Sequence, residues 1–550
     1  MQVSDGRRRV ADLTLGILAP LVLARVDPLV ERLPSLGLFR GPAAYLLVAL
    51  AACLGFGQIV ASRRPGAAAA LARTPPWLLF VACAAIYAGV GWRHAGGIQV
   101  SGDEPHYLVM AQSLWRDHDL DLRDEYDGEE WAEFVPGPLR PHWGAARADG
   151  RPFPAHSPGL PLLLAPAYAA LGREGCVLLM ALVAAAAALV PRQLALQLTG
   201  NAEASLVAWL AMVGPPLLFY SFHLYTEAPS ALALGGSLLL LVGAPGVPGA
   251  AVAALLAAVL PWLHLKMIPA AAALGLIALV RLRGRPLAAF LLVAGAAAAA
   301  FAAYYWAIFG VASPLALYGG VPADARVLSW RAAVGLLLDR SFGLLPIAPI
   351  FLLAIAGLPI VIRRREAWPH ALVALAVLAP LLSWRMWWGG QCPPARFLVP
   401  MLPFLAVALS LRLSRSATGL ARWWPGLLLT GGLLSLVALA EPAARLLLNR
   451  GNRPTRLWAA LSEDVPIGDY LPTLTHASER EARLALVWLA AVAALLVLDR
   501  LAQSRPRLDA AFRSFALPVA LVLLLGVVID VAVGEPRPEA IVAPELAADP

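Results

Sequence analysis

Two adjacent acids, Asp103 and Glu104, stand in the stretch Ser101-Gly-Asp-Glu104, just after a long apolar segment ends. A carboxylate at such a place either caps a helix or takes a proton from an attacking group. A third acid, Glu227, lies in HLYTEAPS (223–230), between two apolar runs. Two cations stand out beside them. Lys266, in WLHLKM next to His264, is the only lysine among 43 basic residues. Arg396, in PPARFLVPMLPF, follows the tryptophans Trp384, Trp387 and Trp388. An ammonium is compact and shifts its pKa readily, so one Lys in an otherwise all-Arg chain marks a position where an ammonium is wanted.

These residues sit in a very apolar chain. Its 550 residues are 60% hydrophobic and only 14% charged, with a mean hydropathy of +0.71; soluble proteins carry about a quarter charged residues. Apolar runs of roughly 17–25 residues recur along most of the length, the pattern of an all-α polytopic membrane protein. Arg7, Arg8 and Arg9 precede an apolar run with no small-residue cleavage site after it, so no secretory signal is expected. Cys53, Cys83, Cys176 and Cys392 have neither metal nor disulfide spacing and read as small packing residues.

The net charge of +8 does not point to nucleic acid, because of where it lies. Residues 98–157 hold twelve acids against five arginines, while the basic clusters fall in short loops between apolar runs. That is how a membrane protein marks its cytoplasmic side. With the N-terminal arginines inside, spans are expected near 11–31, 41–61, 77–95, 175–195, 203–222, 228–243, 249–265 and 267–282. Others follow near 286–305, 343–362, 368–384, 397–411, 423–440, 483–500 and 514–533. Arg192, Arg281–Arg285, Arg363–Arg365, Arg412–Arg422 and Arg500–Arg513 then all fall inside. The proline-rich stretch 158–172 is too short to cross and reads as an interfacial or re-entrant helix.

The expected divisions are N-terminal helices over 1–97, an external loop with interfacial helices over 98–174, and a core over 175–310. A second external loop (311–342), helices (343–440), a third external loop (441–482) and C-terminal helices with a tail (483–550) complete the chain. All the unusual polar residues share the external face.

Ser101 and Glu104 have the spacing of a capping box, and Tyr107, Met110 or Ala111, and Leu114 make an apolar stripe, so a helix over about 102–115 is expected. Capping explains Glu104. It does not explain Asp103, which falls on the stripe side near Tyr107 and Met110. A charge at hydrocarbon depth costs about 2.5–3.5 kcal/mol on insertion scales and usually marks a functional residue.

An Asp-Glu pair opening a helix in the first external loop resembles the GT-C superfamily of membrane glycosyltransferases, and within it the protein O-mannosyltransferase and lipid A aminoarabinose-transferase group. The resemblance implies a GT-C-like bundle of about 13–15 membrane helices. It also implies a polyprenyl- or dolichyl-phosphate sugar donor, and transfer with inversion on the non-cytoplasmic side of a cell membrane. Asp103 matches the family's catalytic carboxylate, with Glu104 in a supporting role, and Glu227 its acidic residue in the next external loop. FPAHSPGLPLL (153–163) is similar to the family's His-Pro-Pro motif through His156, although Ser157 and Gly159 break the pattern.

The acceptor hydroxyl must lose a proton as it attacks, which a carboxylate can take. The leaving phosphate needs cations, and Lys266, Arg396 and the Arg340-Ser-Phe-Gly turn are the candidates. His156, Tyr107 and His264 are expected substrate contacts. No cofactor is expected, although His106, His142 and His156 could join Asp103 around a divalent metal. The partners are the bilayer, the lipid-linked donor and a glycan, lipid or protein acceptor, with no nucleic acid.

A transporter or lipid-linked-sugar flippase is the competing class. Transporters place ionisable residues at the midplane on broken, repeated helices; here these residues lie near the ends of apolar runs, and no internal repeat is visible. The charge pattern makes a direct prediction about orientation. A probe cysteine at Gly128→Cys should be labelled by an impermeant reagent in intact cells, and one at Arg365→Cys should not; the reverse pattern would invert the topology.

Overall fold

The computed structural model describes residue 12 and residues 15–534, apart from 65, 96–99, 321–327, 441–445, 451–454 and 477. The described residues form helices and no strand, with isolated bridges only at Trp143–Pro154 and Cys392–Asn449. Among the described residues, eight helices are long and apolar enough to cross a membrane, including Pro42–Arg63, Pro76–Ala95, Gly159–Thr199, Gly284–Phe309 and Glu479–Ala502. The protein is therefore an all-α polytopic membrane protein.

Several expected spans are shorter or broken. The one near 203–222 splits into Ala202–Val213 and Leu217–Tyr220 around Pro215-Pro216, where two consecutive prolines remove backbone donors. The one near 343–362 becomes Leu344–Ile347, Pro349–Phe351 and Leu352–Arg363. The one near 11–31 is also not a single helix. A first helical stretch ends at 23 and a second short helix, Asp27–Arg32, follows, with Arg40 donating to the Ala24 carbonyl (2.6 Å) and pairing with Asp27 (2.7 Å) at the break. The short helix expected over 158–172 is present but runs into the next span, with a break in helical geometry at Leu171 and Gly172. Within the expected external loop 311–342, residues 321–327 lie outside the described residues.

The helix Gly159–Thr199 runs through the centre, packed against Pro76–Ala95, Glu104–Arg116, Ala202–Val213, Glu227–Val242 and Leu402–Arg415. Its inward face is largely alanine: Ala181, Ala184, Ala185, Ala187 and Ala188 are buried. Between membrane helices, small residues let backbones approach, and dispersion then replaces the hydrophobic effect as the attraction. Gly357 shows the limit of that approach. A Cβ there would lie 2.0 Å from the Ala408 carbonyl oxygen, so the two helices meet backbone to backbone.

Arginines close the helix ends at one face. Arg364 donates to the Leu198 carbonyl (2.6 Å), Arg281 to those of Leu241 and Val242 (3.2 and 3.0 Å), and Arg192 to those of Ala72 and Thr74 (3.0 and 3.1 Å). Carbonyls at helix C-termini lack partners and carry partial negative charge, so a guanidinium suits them. Arg412 and Arg422, read from the sequence as part of a basic loop, are instead paired with Asp499 (2.6 Å) and Asp509 (2.5 Å). The opposite ends of the same helices carry the polar residues singled out above.

Candidate active site

The site is assembled from four chain segments. Residues 101–104 open the helix Glu104–Arg116; Glu227 opens the helix Glu227–Val242; Lys266 lies in the turn Leu265–Met267; and Arg396 opens the turn Arg396–Met401. The helix after Ser101 starts at Glu104 with Asp103 in the N-cap position, so Ser101 is not the cap. Only one half of the expected capping box forms. The Ser101 backbone N–H donates to Glu104 Oε2 (3.2 Å), while the Ser101 hydroxyl is buried without a partner among the described residues. The other Glu104 oxygen accepts from the backbone of Leu224 (2.8 Å). Glu104 therefore ties the 101–104 turn to the HLYTE segment.

Gly102 makes that turn possible. Its φ is +61°, and a Cβ would come within 2.5 Å of the Gln391 carbonyl oxygen and 2.7 Å of the Tyr225 hydroxyl. That hydroxyl donates to the carbonyls of Ser101 and Gln391. Tyr225 thus pins 101–104 against the segment that leads to Arg396.

At the centre is Arg396. Its Nη2 donates to Asp103 Oδ2 (2.5 Å), its Nε to Glu227 Oε1 (3.1 Å) and its Nη1 to the Gly389 carbonyl (2.7 Å). The guanidinium also lies 4.1 Å from the centre of the Tyr225 ring. Lys266 Nζ reaches the same Glu227 oxygen (3.1 Å) and sits 3.5 Å from the centre of the Phe397 ring. Two acids and two cations therefore form one neutral network.

Exposure separates the two acids. The Glu227 side chain is fully buried, whereas 26% of the Asp103 side chain is accessible. Burial pushes the Asp103 carboxyl up, but the Arg396 guanidinium, with smaller contributions from His156 and His142, holds it well below the usual carboxylate range.

The histidines form a second group against Asp103. His142 and His156 are carried by two stretches held together by backbone bonds from Gly144 to Phe153 (2.7 Å) and from Ala155 to His142 (2.8 Å). The His142 and His156 ring nitrogens are 3.3 Å apart, and His106 stacks on His142 at 3.7 Å. His106 Nδ1 is bonded to the Tyr126 hydroxyl (2.8 Å). Asp103, His142 and His156 each offer a ligand atom within 4.8 Å of the others, so these three residues, rather than His106, could hold a metal ion. Burial lowers His106 to about 3 and His156 to about 4, so both rings are neutral near pH 7.

Other expected residues fall as follows. Tyr107 is buried beside His156, with ring centres 4.9 Å apart. His264 accepts from the Lys266 backbone (3.1 Å) and shapes the turn that presents the lysine. Arg340 is not brought to the network: it reaches the Gly468 carbonyl (3.2 Å) and Asp469 (3.7 Å), because the buried carboxylate of Asp339 fixes its turn to Leu474. Tyr225, Phe397 and the Gly389 carbonyl complete the network but were not singled out in the sequence. Tyr225 lies within HLYTE, two residues before Glu227, and its position there is the only local signal.

No protein-family model and no curated protein matches the chain. Among solved structures it is similar to ArnT from Cupriavidus metallidurans in the apo state, with 16% identity over 83% of this chain and 77% of that one, at a TM-score of 0.42. It is similar also to the archaeal oligosaccharyltransferase AglB from Archaeoglobus fulgidus, in complex with an inhibitory peptide and a dolichol-phosphate. That match has 13% identity over 84% of this chain and 56% of that one, at a TM-score of 0.36. The apo crystal structure of the Archaeoglobus fulgidus oligosaccharyltransferase gives 14%, 85%, 57% and 0.36 for the same measures. The chain spans a little over half the length of the two archaeal structures.

The neutral histidines predict how stability depends on pH. Both rings bind a proton less readily in the fold than in the unfolded chain, where their pKa is about 6.5. Their contribution is therefore full above about pH 6.5 and erodes as pH falls toward 4, since the unfolded state then holds more protons. Melting temperatures in detergent should fall between pH 7.5 and 4.5, and fall less steeply in His106→Gln. Parallel profiles for the two proteins would remove His106 from the account.

Proposed function

We propose that the protein is an integral membrane glycosyltransferase that moves a sugar from a polyprenyl-phosphate donor to an acceptor on the non-cytoplasmic face, with inversion. The observation that carries this reading is the 2.5 Å contact between Asp103 and Arg396, with Lys266 joined to the same network through Glu227. A proton acceptor and two phosphate-binding cations converge on one point at the ends of the helices. A flippase would have no use for a proton-accepting carboxylate set against the cations that hold the phosphate.

The roles follow from exposure and charge. Glu227, fully buried, holds Arg396 and Lys266 in place. Asp103, the accessible acid, is the group an acceptor hydroxyl can reach. Arg396 spends three of its five N–H donors on Glu227, the Gly389 carbonyl and Asp103, so a donor phosphate that takes the accessible Nη2 edge competes with Asp103. The displaceable partner is Asp103. Loss of its ion pair raises its affinity for a proton, so donor binding itself makes Asp103 a better base. In the transfer step the acceptor oxygen bonds to the anomeric carbon, and the bond from that carbon to the phosphate oxygen breaks with its electron pair. The hydroxyl proton passes to Asp103, while Arg396 and Lys266 stabilise the departing polyprenyl phosphate.

The test is incubation of the purified protein with a panel of polyprenyl-phosphate sugars and membrane extract. Transfer of sugar supports the reading; movement of a lipid-linked sugar across vesicles without transfer would replace it by the flippase. Asp103→Asn keeps the size but cannot take the proton, so turnover should fall by about two to four orders of magnitude. Near-normal transfer by folded Asp103→Asn would remove Asp103 from the chemistry. Arg396→Lys keeps a cation beside Glu227 but loses the fork, and should weaken donor binding roughly ten- to hundredfold. Unchanged donor affinity would leave Arg396 a purely structural role.

A further inference from the structure

Below the helix that begins at Asp103 lies a second group of acids, which the proposed transfer does not use. Asp117 caps the C-terminal end of Glu104–Arg116, and Asp124 and Glu125 lie in the short helix Arg123–Asp127. Each offers a carboxylate oxygen within 4.8 Å of the others. Glu125 is only 1% exposed, and neither of its oxygens has a hydrogen-bond partner among the described residues. The nearby Ser113 hydroxyl is turned to the Asp119 carbonyl instead (3.1 Å).

The side-chain bonds of the nearby arginines go to acids outside the group. Arg123 is held by Asp121 through two bonds (2.8 and 2.7 Å), and Arg116 by Glu130 and Glu133 (2.6 and 3.2 Å). With no donor on it, a buried carboxyl beside two others either keeps a proton, as burial favours for Glu125, or is completed by a cation.

We infer that Asp117, Asp124 and Glu125 bind a calcium ion that clamps the end of the Asp103-bearing helix to the next segment of the loop. The donor set is all carboxylate oxygen, which selects a hard cation over zinc or copper. The exposed Asp117 and Asp124 leave room for the waters that complete six to eight ligands, a number and looseness that suit Ca²⁺ better than octahedral Mg²⁺. With three protein carboxylates, a dissociation constant of about 0.1–1 mM is expected. The helix of 13 residues puts the ion roughly 20 Å from Asp103 at 1.5 Å per residue. Its role is to brace the helix, and the inference stands whatever reaction the protein performs.

The experiment uses full-length protein in a neutral detergent, stripped with EGTA, with terbium as the probe and Tyr126 and Trp131 as sensitisers. Saturable terbium emission is expected, displaced by millimolar Ca²⁺ but at least tenfold less effectively by Mg²⁺, and Ca²⁺ should raise the melting temperature. Glu125→Gln should weaken displacement by Ca²⁺ at least tenfold, while Asp103→Asn should leave it unchanged. If Glu125→Gln does not fold, Asp124→Asn, on the surface, carries the same expectation. Absence of saturable binding, equal displacement by Mg²⁺, unchanged binding in Glu125→Gln or Asp124→Asn, or loss only in Asp103→Asn would each overturn the assignment.

Discussion

Everything at the polar end of the molecule depends on the buried guanidinium of Arg396. Its side chain is 4% exposed and its partner Glu227 not at all, so neither charge has water to stabilise it. Breaking such a pair from one side typically costs about 3–5 kcal/mol, because the remaining charge is stranded. The helix ends that carry Asp103, Glu227, Lys266 and Arg396 must therefore meet, and the bundle packs so that they do. The acids stand where helices begin and the partial charge is positive, which lowers the cost of placing them there.

The two ends of the bundle obey one electrostatic rule with opposite signs. Helix starts at the site take carboxylates; helix ends at the far face take arginines onto free carbonyls, as Arg281 and Arg364 do. The charge bias read from the loops thus has a local structural use, since each of those arginines closes a helix. Arg412, buried against Asp499, goes further and joins the helix Leu402–Arg415 to Glu479–Ala502.

The network is also asymmetric in a way that suits turnover. Glu227 is locked behind two cations, whereas Asp103 shares only one of them and retains access to the surface. In the proposed reaction a donor phosphate at Arg396 would meet the more accessible acid, Asp103, and leave Glu227 as counter-charge. The histidines packed beside Asp103, His106 stacked on His142 and His142 close to His156, fill the remaining side.

Hydropathy alone determined that the chain is a helical membrane protein, because a bilayer admits few other ways to satisfy a backbone in apolar surroundings. Local pattern also marked Asp103 as out of place on an apolar stripe, and composition marked Lys266. Other features depended on packing. Nothing in the sequence links Arg396 to Asp103, 293 residues away, or to Glu227, 169 away, since periodicity reports one element at a time. The same gap explains Arg340, whose turn looked available until Asp339 fixed it to the 441–482 segment, and Ser101, whose spacing promised a cap that the Gly102 turn moved to Asp103. Residue type decided which groups could carry charge into the membrane; only the tertiary structure decided which charges neutralise one another, because that depends on where helix ends from distant parts of the chain are brought together.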